Sequence, residues 1–208
     1  MNFDLFTDKI DTFKAKELGG ITSQLKLAPK LRLHFSDIDI QNKKPKKAAV
    51  LALFYPDKNH QTKFLLTKRA NYKGTHASQI SFPGGKMDIE DINIKNTAFR
   101  ETFEEVGIPK ESINIIRKLS KTYIPPSNFL VTPFLGISKH TPIFTPNYEV
   151  ANLIEVLVED LLNDKNVTTK SMNTSYMKNI EVPCFKLNDY IVWGATAMIL
   201  SEIKDLLK

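Results

Sequence analysis

Cysteine and histidine are scarce in this sequence: Cys184 is the only cysteine among 208 residues, and there are four histidines. A single cysteine excludes a disulfide within the chain, and the lack of a Cys/His cluster argues against a zinc site. Both absences fit a reducing compartment, so we predict a cytoplasmic protein. Cys184 lies in the apolar stretch VPCF, where we interpret it as a buried structural thiol rather than a reactive one.

Long apolar runs are also lacking. The N-terminal stretch MNFDLFTDKIDTFKAK carries acidic residues early, which predicts an amphipathic helix rather than a signal peptide or a membrane span. The net charge is +6, yet the lysines are dispersed except in NKKPKKAA, residues 42–49, which we interpret as a solvated linker rather than a nucleic-acid patch. We therefore expect neither nucleic acid nor a membrane as a partner. The chain itself is expected to be a monomer or a homodimer.

The composition is that of a globular protein, with 42% apolar and 25% charged residues, which predicts one domain with an appendage. We place the appendage, a helical extension followed by the basic linker, at residues 1–45 and the domain at residues 46–208. Short stretches rich in β-forming residues begin at Ala48. Strands are predicted in AAVLALFYP, KFLLTKRA, SQISF, NFLVTPFLGIS and NLIEVLV, with a hairpin in IEVPCFKLNDYIVWG that turns at Asn188 and Asp189.

Two longer segments have helical periodicity: IKNTAFRETFEEVG, which ends at Gly107 as a C-cap, and ATAMILSEIKDLL near the C-terminus. Strands flanked by two or more helices indicate an α/β or α+β sandwich.

The first of these helices carries three glutamates, Glu101, Glu104 and Glu105, next to Arg100. With successive residues about 100° apart, the glutamates share one arc of the helix. The opposite arc contains Ala98, Phe99, Thr102, Phe103 and Val106. Like charges at this spacing repel one another unless cations neutralise them. Arg100 can pair with Glu104, and a hard divalent cation such as Mg²⁺ prefers oxygen ligands of this kind. A solvated acidic face is the alternative that the helix alone leaves open.

The sequence from the paired glycines onward, GGKMDIEDINIKNTAFRETFEEVGI, resembles the Nudix box. That pattern has a glycine, an acidic residue about six positions later, Arg-Glu, an aliphatic position, and a Glu-Glu pair before a glycine. The matching residues are Gly85, Arg100, Glu101, Glu104, Glu105 and Gly107. Asp91 stands where the usual pattern has glutamate, with one extra residue before Arg100, and Thr102 occupies the aliphatic position.

The extra residue also occurs in one branch of this family, the coenzyme A pyrophosphatases. The stretch LLTKRANYKGTHASQISFPGG, residues 65–85, resembles the second motif of that branch without gaps. The matching residues are Leu65, Leu66, Thr67, Arg69, His76, Gln79, Phe82, Pro83, Gly84 and Gly85. Gly74 stands where the branch has arginine, and the neighbouring Lys73 supplies a positive charge. The resemblance extends from about Ala48 to Val158, and YIVWGATAMIL, residues 190–200, also resembles the end of this branch.

The resemblance implies a Nudix-like α/β/α sandwich with a mixed sheet, and metal-dependent hydrolysis of a diphosphate with Mg²⁺ or Mn²⁺ as the cofactor. The substrate it implies is coenzyme A or an acyl-CoA, cleaved to adenosine 3′,5′-bisphosphate and 4′-phosphopantetheine or its acyl form. The metal ligands that it implies are Glu101, Glu104 and Glu105. Arg100 would orient these carboxylates, and Asp91 would fix the preceding loop onto the helix.

For the substrate, the resemblance implies contacts from Arg69, Lys73 and His76, although His76 can equally cap its own loop. Gly84 and Gly85 would let the backbone approach the metal, because glycine has no Cβ. The substrate is expected to be a small nucleotide-derived molecule.

The proton acceptor is either one of the three helix glutamates or a carboxylate from a later loop. We name Glu149, in NYEVANLIEV, and Glu155 is its competitor; an ordinary surface role stays open for both. Two other functions also stay open. One is a Nudix hydrolase for ADP-ribose or a dinucleotide, and the other is a binding module that senses a nucleotide. Such modules usually lose part of the glutamate set, which is complete here.

Overall fold

A computed structural model describes residues 1–29, 36–70, 79–172 and 180–208. The strands are β1 (Lys46–Pro56), β2 (Thr62–Arg69), β3 (Ile80–Ser81), β4 (Gly84–Lys86), β5 (Asn114–Lys118), β6 (Thr122–Ile124), β7 (Phe129–Ile137), β8 (Val150–Leu157), β9 (Val167–Met172), β10 (Ile180–Leu187) and β11 (Tyr190–Trp193). The helices are α1 (Phe3–Asp8), α2 (Ile10–Ala15), α3 (Gly20–Leu25), α4 (Asp37–Asn42), α5 (Ile94–Val106), α6 (Val158–Leu162) and α7 (Gly194–Leu207). None of the helices in these ranges is long and apolar enough to cross a membrane.

Strand β1 lies at the centre of the larger sheet, whose main order is β3-β2-β1-β7-β5. It runs parallel to β7 and antiparallel to β2 and β4, so the sheet is mixed, as predicted. The pairing with β4 places Ala49 opposite Gly85, which brings the paired glycines to the N-terminal half of β1. Strands β9, β10 and β11 form a second, antiparallel sheet. The α+β fold expected from the sequence is thereby confirmed.

The core has two parts, one on each face of β1. Because β1 is buried on both faces, its sequence is nearly continuously apolar. Leu51 and Leu53 pack in the part beneath α5. Ala52 and Phe54 alternate to the other face, where they join residues of α1, α2 and α7 in the second part. Helix α5 is therefore held against one face of the sheet, directly over β1 and β4.

The N-terminal residues differ from the single amphipathic helix that we predicted, because the helix is interrupted at Lys9 and forms α1 and α2. Phe6 and Phe13 are buried in the same core as β1. The basic stretch is also not entirely a linker, since Lys46 and Lys47 are the first residues of β1. The domain boundary at residue 45 stays a prediction.

Candidate active site

Helix α5 has defined ends that set the positions of its glutamates. Asn93 is the N-cap, and its side chain accepts hydrogen bonds from the backbone N–H groups of Lys95 and Asn96 at 3.0 and 3.1 Å. At the other end Gly107 has a φ of 76°, a left-handed conformation that glycine adopts without steric cost, and the predicted C-cap is confirmed. The sequence between these caps contains all three candidate ligands.

The buried face of α5 differs from the apolar arc predicted from periodicity. Glu105 is only 5% exposed, whereas Phe103, expected to face the core, is 57% exposed. The Glu104 side chain is half exposed. The three glutamates therefore do not share one environment. Glu105 can lie toward the sheet because the backbone N–H of Gly84 donates to its carboxylate at 3.0 Å.

Gly84 and Gly85 bring the β4 backbone close to two of the glutamates. An added Cβ at Gly85 would stand 2.5 Å from the Glu101 carboxylate, so only glycine leaves room for that group. Gly84 has a φ of 150°, and a Cβ there would stand 2.3 Å from the carbonyl oxygen of Ala49. Gly84 is thus required by its backbone conformation and by the neighbouring strand, and Gly85 leaves the space in which the Glu101 carboxylate lies.

Arg100 connects the loop before α5 to the glutamates. Its Nε and Nη2 donate to the two carboxylate oxygens of Asp91 at 3.1 and 3.0 Å. Its Nη1 lies 3.0 Å from Glu101 and 3.1 Å from Glu104. Asp91 also accepts a hydrogen bond from the hydroxyl of Thr97 at 2.9 Å. These contacts agree with the expectation that Asp91 fixes the loop onto the helix.

A second arginine, Arg69 at the end of β2, joins the helix to the loop before β8. Its Nη2 lies 3.0 Å from Glu149, and its Nη1 lies 3.5 Å from Glu105. The backbone N–H of Ala70 also donates to the carbonyl of Glu149 at 2.7 Å. Residues about 80 positions apart in the sequence therefore meet beside Glu105.

The competitor, Glu155, lies elsewhere. Its carboxylate accepts a hydrogen bond from the buried hydroxyl of Tyr55 at 2.9 Å. It lies on β8 opposite Leu65, well along the strand from the pair formed by Arg69 and Val150. Glu149, and not Glu155, is thus the later carboxylate that the fold brings to the helix glutamates.

Comparisons with known proteins show which family the chain belongs to. The family model described as the NUDIX domain matches residues 45–171, more than half of the chain. The chain belongs to the Nudix family. Nudix hydrolases are pyrophosphohydrolases that act on phosphorus anhydrides, including nucleoside diphosphate derivatives.

Two curated Nudix relatives are about one-third identical to the chain. Nudix hydrolase 15, mitochondrial, of Arabidopsis thaliana is 31% identical over 164 residues, which cover 76% of this chain and 57% of that protein. The uncharacterized Nudix hydrolase NudL of Yersinia pestis is 32% identical over 140 residues, which cover 67% of this chain and 69% of that protein. The match thus spans little more than half the length of the Arabidopsis relative.

Solved structures of the Nudix family have the same fold. The NUDIX domain of Shewanella oneidensis NrtR, complexed with ADP ribose, superposes with a TM-score of 0.54 at 12% identity, over 85% of this chain and 96% of that chain. A MutT/nudix family protein from Enterococcus faecalis gives a TM-score of 0.52 at 16% identity, over 76% of this chain and 60% of that chain. At these identities the likeness shows the fold alone.

Two carboxylates of this Nudix site, Glu101 and Glu105, have raised pKa values. Burial raises the pKa of Glu105 to about 7, and the nearby charges of Glu101 and Glu149 contribute to the same shift. Burial is also the main cause of the raised pKa of Glu101. Such carboxylates are stabilised in their ionised form by an added cation.

A divalent cation fits the chemistry of the donor set, which offers carboxylate oxygens beside two glycines. In the ranges that the structure describes, no three Asp, Glu, His or Cys side chains converge on one point. The oxygens of Glu101 and Glu104 face Arg100 instead, and one oxygen of Glu105 faces Arg69. Cation binding by this set would therefore require these side chains to rotate from the positions in which they face the arginines.

Two of the predicted substrate contacts, Lys73 and His76, lie outside the described residues.

The structure adds a positively charged side chain, that of Lys47, which we did not single out from the sequence. Lys47 is exposed and lies two residues before Ala49 in β1, so both side chains lie on the face of the sheet that α5 covers. The carbonyl of Lys47 accepts a hydrogen bond from the backbone N–H of Met87 at 2.9 Å, two residues beyond Gly85. The basic stretch was a signal for it, but only the strand pairing shows where it lies.

Proposed function

We propose that the chain hydrolyses the diphosphate bond of coenzyme A or an acyl-CoA, with Mg²⁺ or Mn²⁺ bound by Glu101, Glu104 and Glu105. The products would be adenosine 3′,5′-bisphosphate and 4′-phosphopantetheine or its acyl form. The observation that carries this proposal is the arrangement of the helix glutamates against Gly84 and Gly85. The substrate assignment rests on the sequence motif between Leu65 and Gly85.

The chemistry is attack by water on one phosphorus atom, with cleavage of its bond to the bridging oxygen. A bound divalent cation supplies charge neutralisation of the diphosphate and lowers the pKa of a coordinated water. Arg100 holds Glu101 and Glu104 in position through its bonds to Asp91. Glu149 lies within reach of the same site and accepts the proton of the attacking water. Arg69 and Lys47 provide positive charge for the phosphates.

A second candidate is hydrolysis of another nucleoside diphosphate derivative, such as ADP-ribose or a dinucleotide. Gly74 favours it, because the coenzyme A branch has an arginine at this position. A nucleotide-sensing module without activity is disfavoured by the complete set of Glu101, Glu104 and Glu105.

The experiment is to incubate the purified chain with coenzyme A, acetyl-CoA, ADP-ribose and a diadenosine polyphosphate, each with Mg²⁺ or Mn²⁺. We expect metal-dependent release of adenosine 3′,5′-bisphosphate, identified by mass. Faster hydrolysis of ADP-ribose than of coenzyme A would favour the second candidate. Binding of these compounds without turnover would favour a sensing module.

A further inference from the structure

Two guanidinium groups divide the proposed metal ligands between them. Arg100 is paired with Glu101 and Glu104, while Arg69 contacts Glu105 and, on its other side, Glu149. Each proposed ligand therefore has an arginine partner in the metal-free chain. Both oxygens of Glu105 are already engaged, Oε1 by Arg69 and Oε2 by the backbone N–H of Gly84, so a divalent cation that binds Oε1 has to compete with Arg69.

The contacts of Arg69 are unequal in length. Its Nη2 is 3.0 Å from Glu149, near the usual length of a charge-assisted hydrogen bond, whereas its Nη1 is 3.5 Å from Oε1 of Glu105. The other oxygen of Glu105 accepts the backbone N–H of Gly84 at 3.0 Å. Oε1 of Glu105 is therefore more weakly held by Arg69 than the Glu149 carboxylate is.

Arg69 and a divalent cation cannot both occupy the space beside Oε1 of Glu105 without repulsion. Glu105 is buried and Arg69 is largely buried, so their charges are poorly screened by solvent. Glu149 is more exposed than Glu105 and holds Arg69 at the shorter distance. Arg69 can consequently leave Glu105 while it stays on Glu149.

We propose that Arg69 is a positioning residue that competes with the divalent cation for Glu105. In the metal-free chain it neutralises Glu105 and Glu149 together, and cation binding displaces it from Glu105 while it keeps its contact with Glu149. This inference rests on the proposed metal site, since it takes Glu105 as a ligand.

The test measures Mn²⁺ binding by isothermal titration calorimetry and thermal unfolding with and without Mn²⁺. Arg69→Met removes the competing charge, so we expect the Kd for Mn²⁺ to fall about tenfold, because a unit charge several ångströms from a dication is removed. Without metal, the Tm of Arg69→Met should be lower than the Tm of the unmodified chain, and saturating Mn²⁺ should reduce this difference in Tm. Arg69→Gln, which keeps an N–H donor without the charge, should also tighten binding.

Lys68→Met is the matched control, because it removes one positive charge from the adjacent residue of β2. The Lys68 ammonium lies 5.9 Å from the ring centroid of Tyr190, which packs against the core on the other face of the sheet. The Kd of Lys68→Met for Mn²⁺ should stay within about twofold of the Kd of the unmodified chain, since the Lys68 charge is farther from the site and screened by solvent.

Weaker or unchanged Mn²⁺ binding in both folded Arg69 variants would overturn the inference, because it would mean that Arg69 supports the metal site or has no part in it. The proposed function would survive that result. Absence of Mn²⁺ binding to the unmodified chain would overturn both the inference and the proposed metal site.

Discussion

Replacing Asp91 by asparagine tests the contact network that joins the loop to helix α5. Three donors share one carboxylate oxygen of Asp91: Nη2 of Arg100 at 3.0 Å, and the Thr97 hydroxyl and the Asp88 backbone N–H at 2.9 Å each. Nε of Arg100 donates to the other oxygen at 3.1 Å. In Asp91→Asn the amide oxygen can keep the three donors, but the amide NH₂ group then faces Nε, so one hydrogen bond and the negative charge are lost.

The magnitude follows from the pKa of Asp91. The hydrogen bond from Arg100, above all, lowers this pKa from 3.8 to about 2, and the side chain is almost fully buried. A pKa lowered from 3.8 to about 2 corresponds to about 2 kcal/mol of stability when the carboxylate is ionised in both states. We therefore expect Asp91→Asn to lower the free energy of unfolding by about 2 kcal/mol at pH 7.

The sign of the pH dependence is also determined. Because the folded-state pKa is depressed, the stabilisation is complete above the unfolded pKa and is lost as the pH falls toward 2. At pH 3 the difference between the two proteins should shrink to about half.

Urea unfolding followed by circular dichroism at pH 7 and pH 3 measures both quantities. Asp11→Asn is the matched control, because Asp11 pairs with Lys14 at an exposed position with 92% of its side chain accessible. It should change stability by less than about 0.5 kcal/mol. Equal stability of Asp91→Asn and the unmodified chain at pH 7, or an equal deficit at both pH values, would refute the argument.

Three other predictions concern activity. Glu104→Gln should keep the fold, with an unchanged or higher urea midpoint, but lose most metal-dependent turnover, because an amide is a poorer metal ligand than a carboxylate. An undiminished kcat with the same metal requirement would contradict the ligand assignment. Gly85→Ala should lower kcat at least about tenfold with a near-normal circular dichroism spectrum, since the added Cβ displaces the Glu101 carboxylate. Full activity of this variant would mean that catalysis does not need Glu101 in its present position. If cationic side chains bind the 3′-phosphate, the kcat/KM for dephospho-coenzyme A should be about ten- to hundredfold lower than the kcat/KM for coenzyme A. Equal kcat/KM values for the two substrates would remove the argument for such a site.

Much of the fold could be predicted from the sequence because the signals are local. Both ends of α5 depend on neighbouring residues, Asn93 at one end and Gly107 at the other. The hairpin of β10 and β11 turns at Asn188 and Asp189, as predicted, and both residues have the positive φ angles that Asn and Asp tolerate. Strands β4, β5, β6 and β9 were not predicted; β4 and β6 are three residues each, too short for a hydrophobic period to show.

Within the candidate site, the sequence by itself determined which residues we propose for the chemistry: the three glutamates, Arg100 and the paired glycines. Only the tertiary structure decided how they are used. Periodicity placed Phe103 on the apolar arc, but the burial of Glu105 depends on an N–H group from β4 and a guanidinium from β2, neither of which a helix pattern contains. The choice of Glu149 over Glu155 likewise depends on strand register, because a carboxylate reaches the helix only where β8 meets the end of β2 beside Arg69.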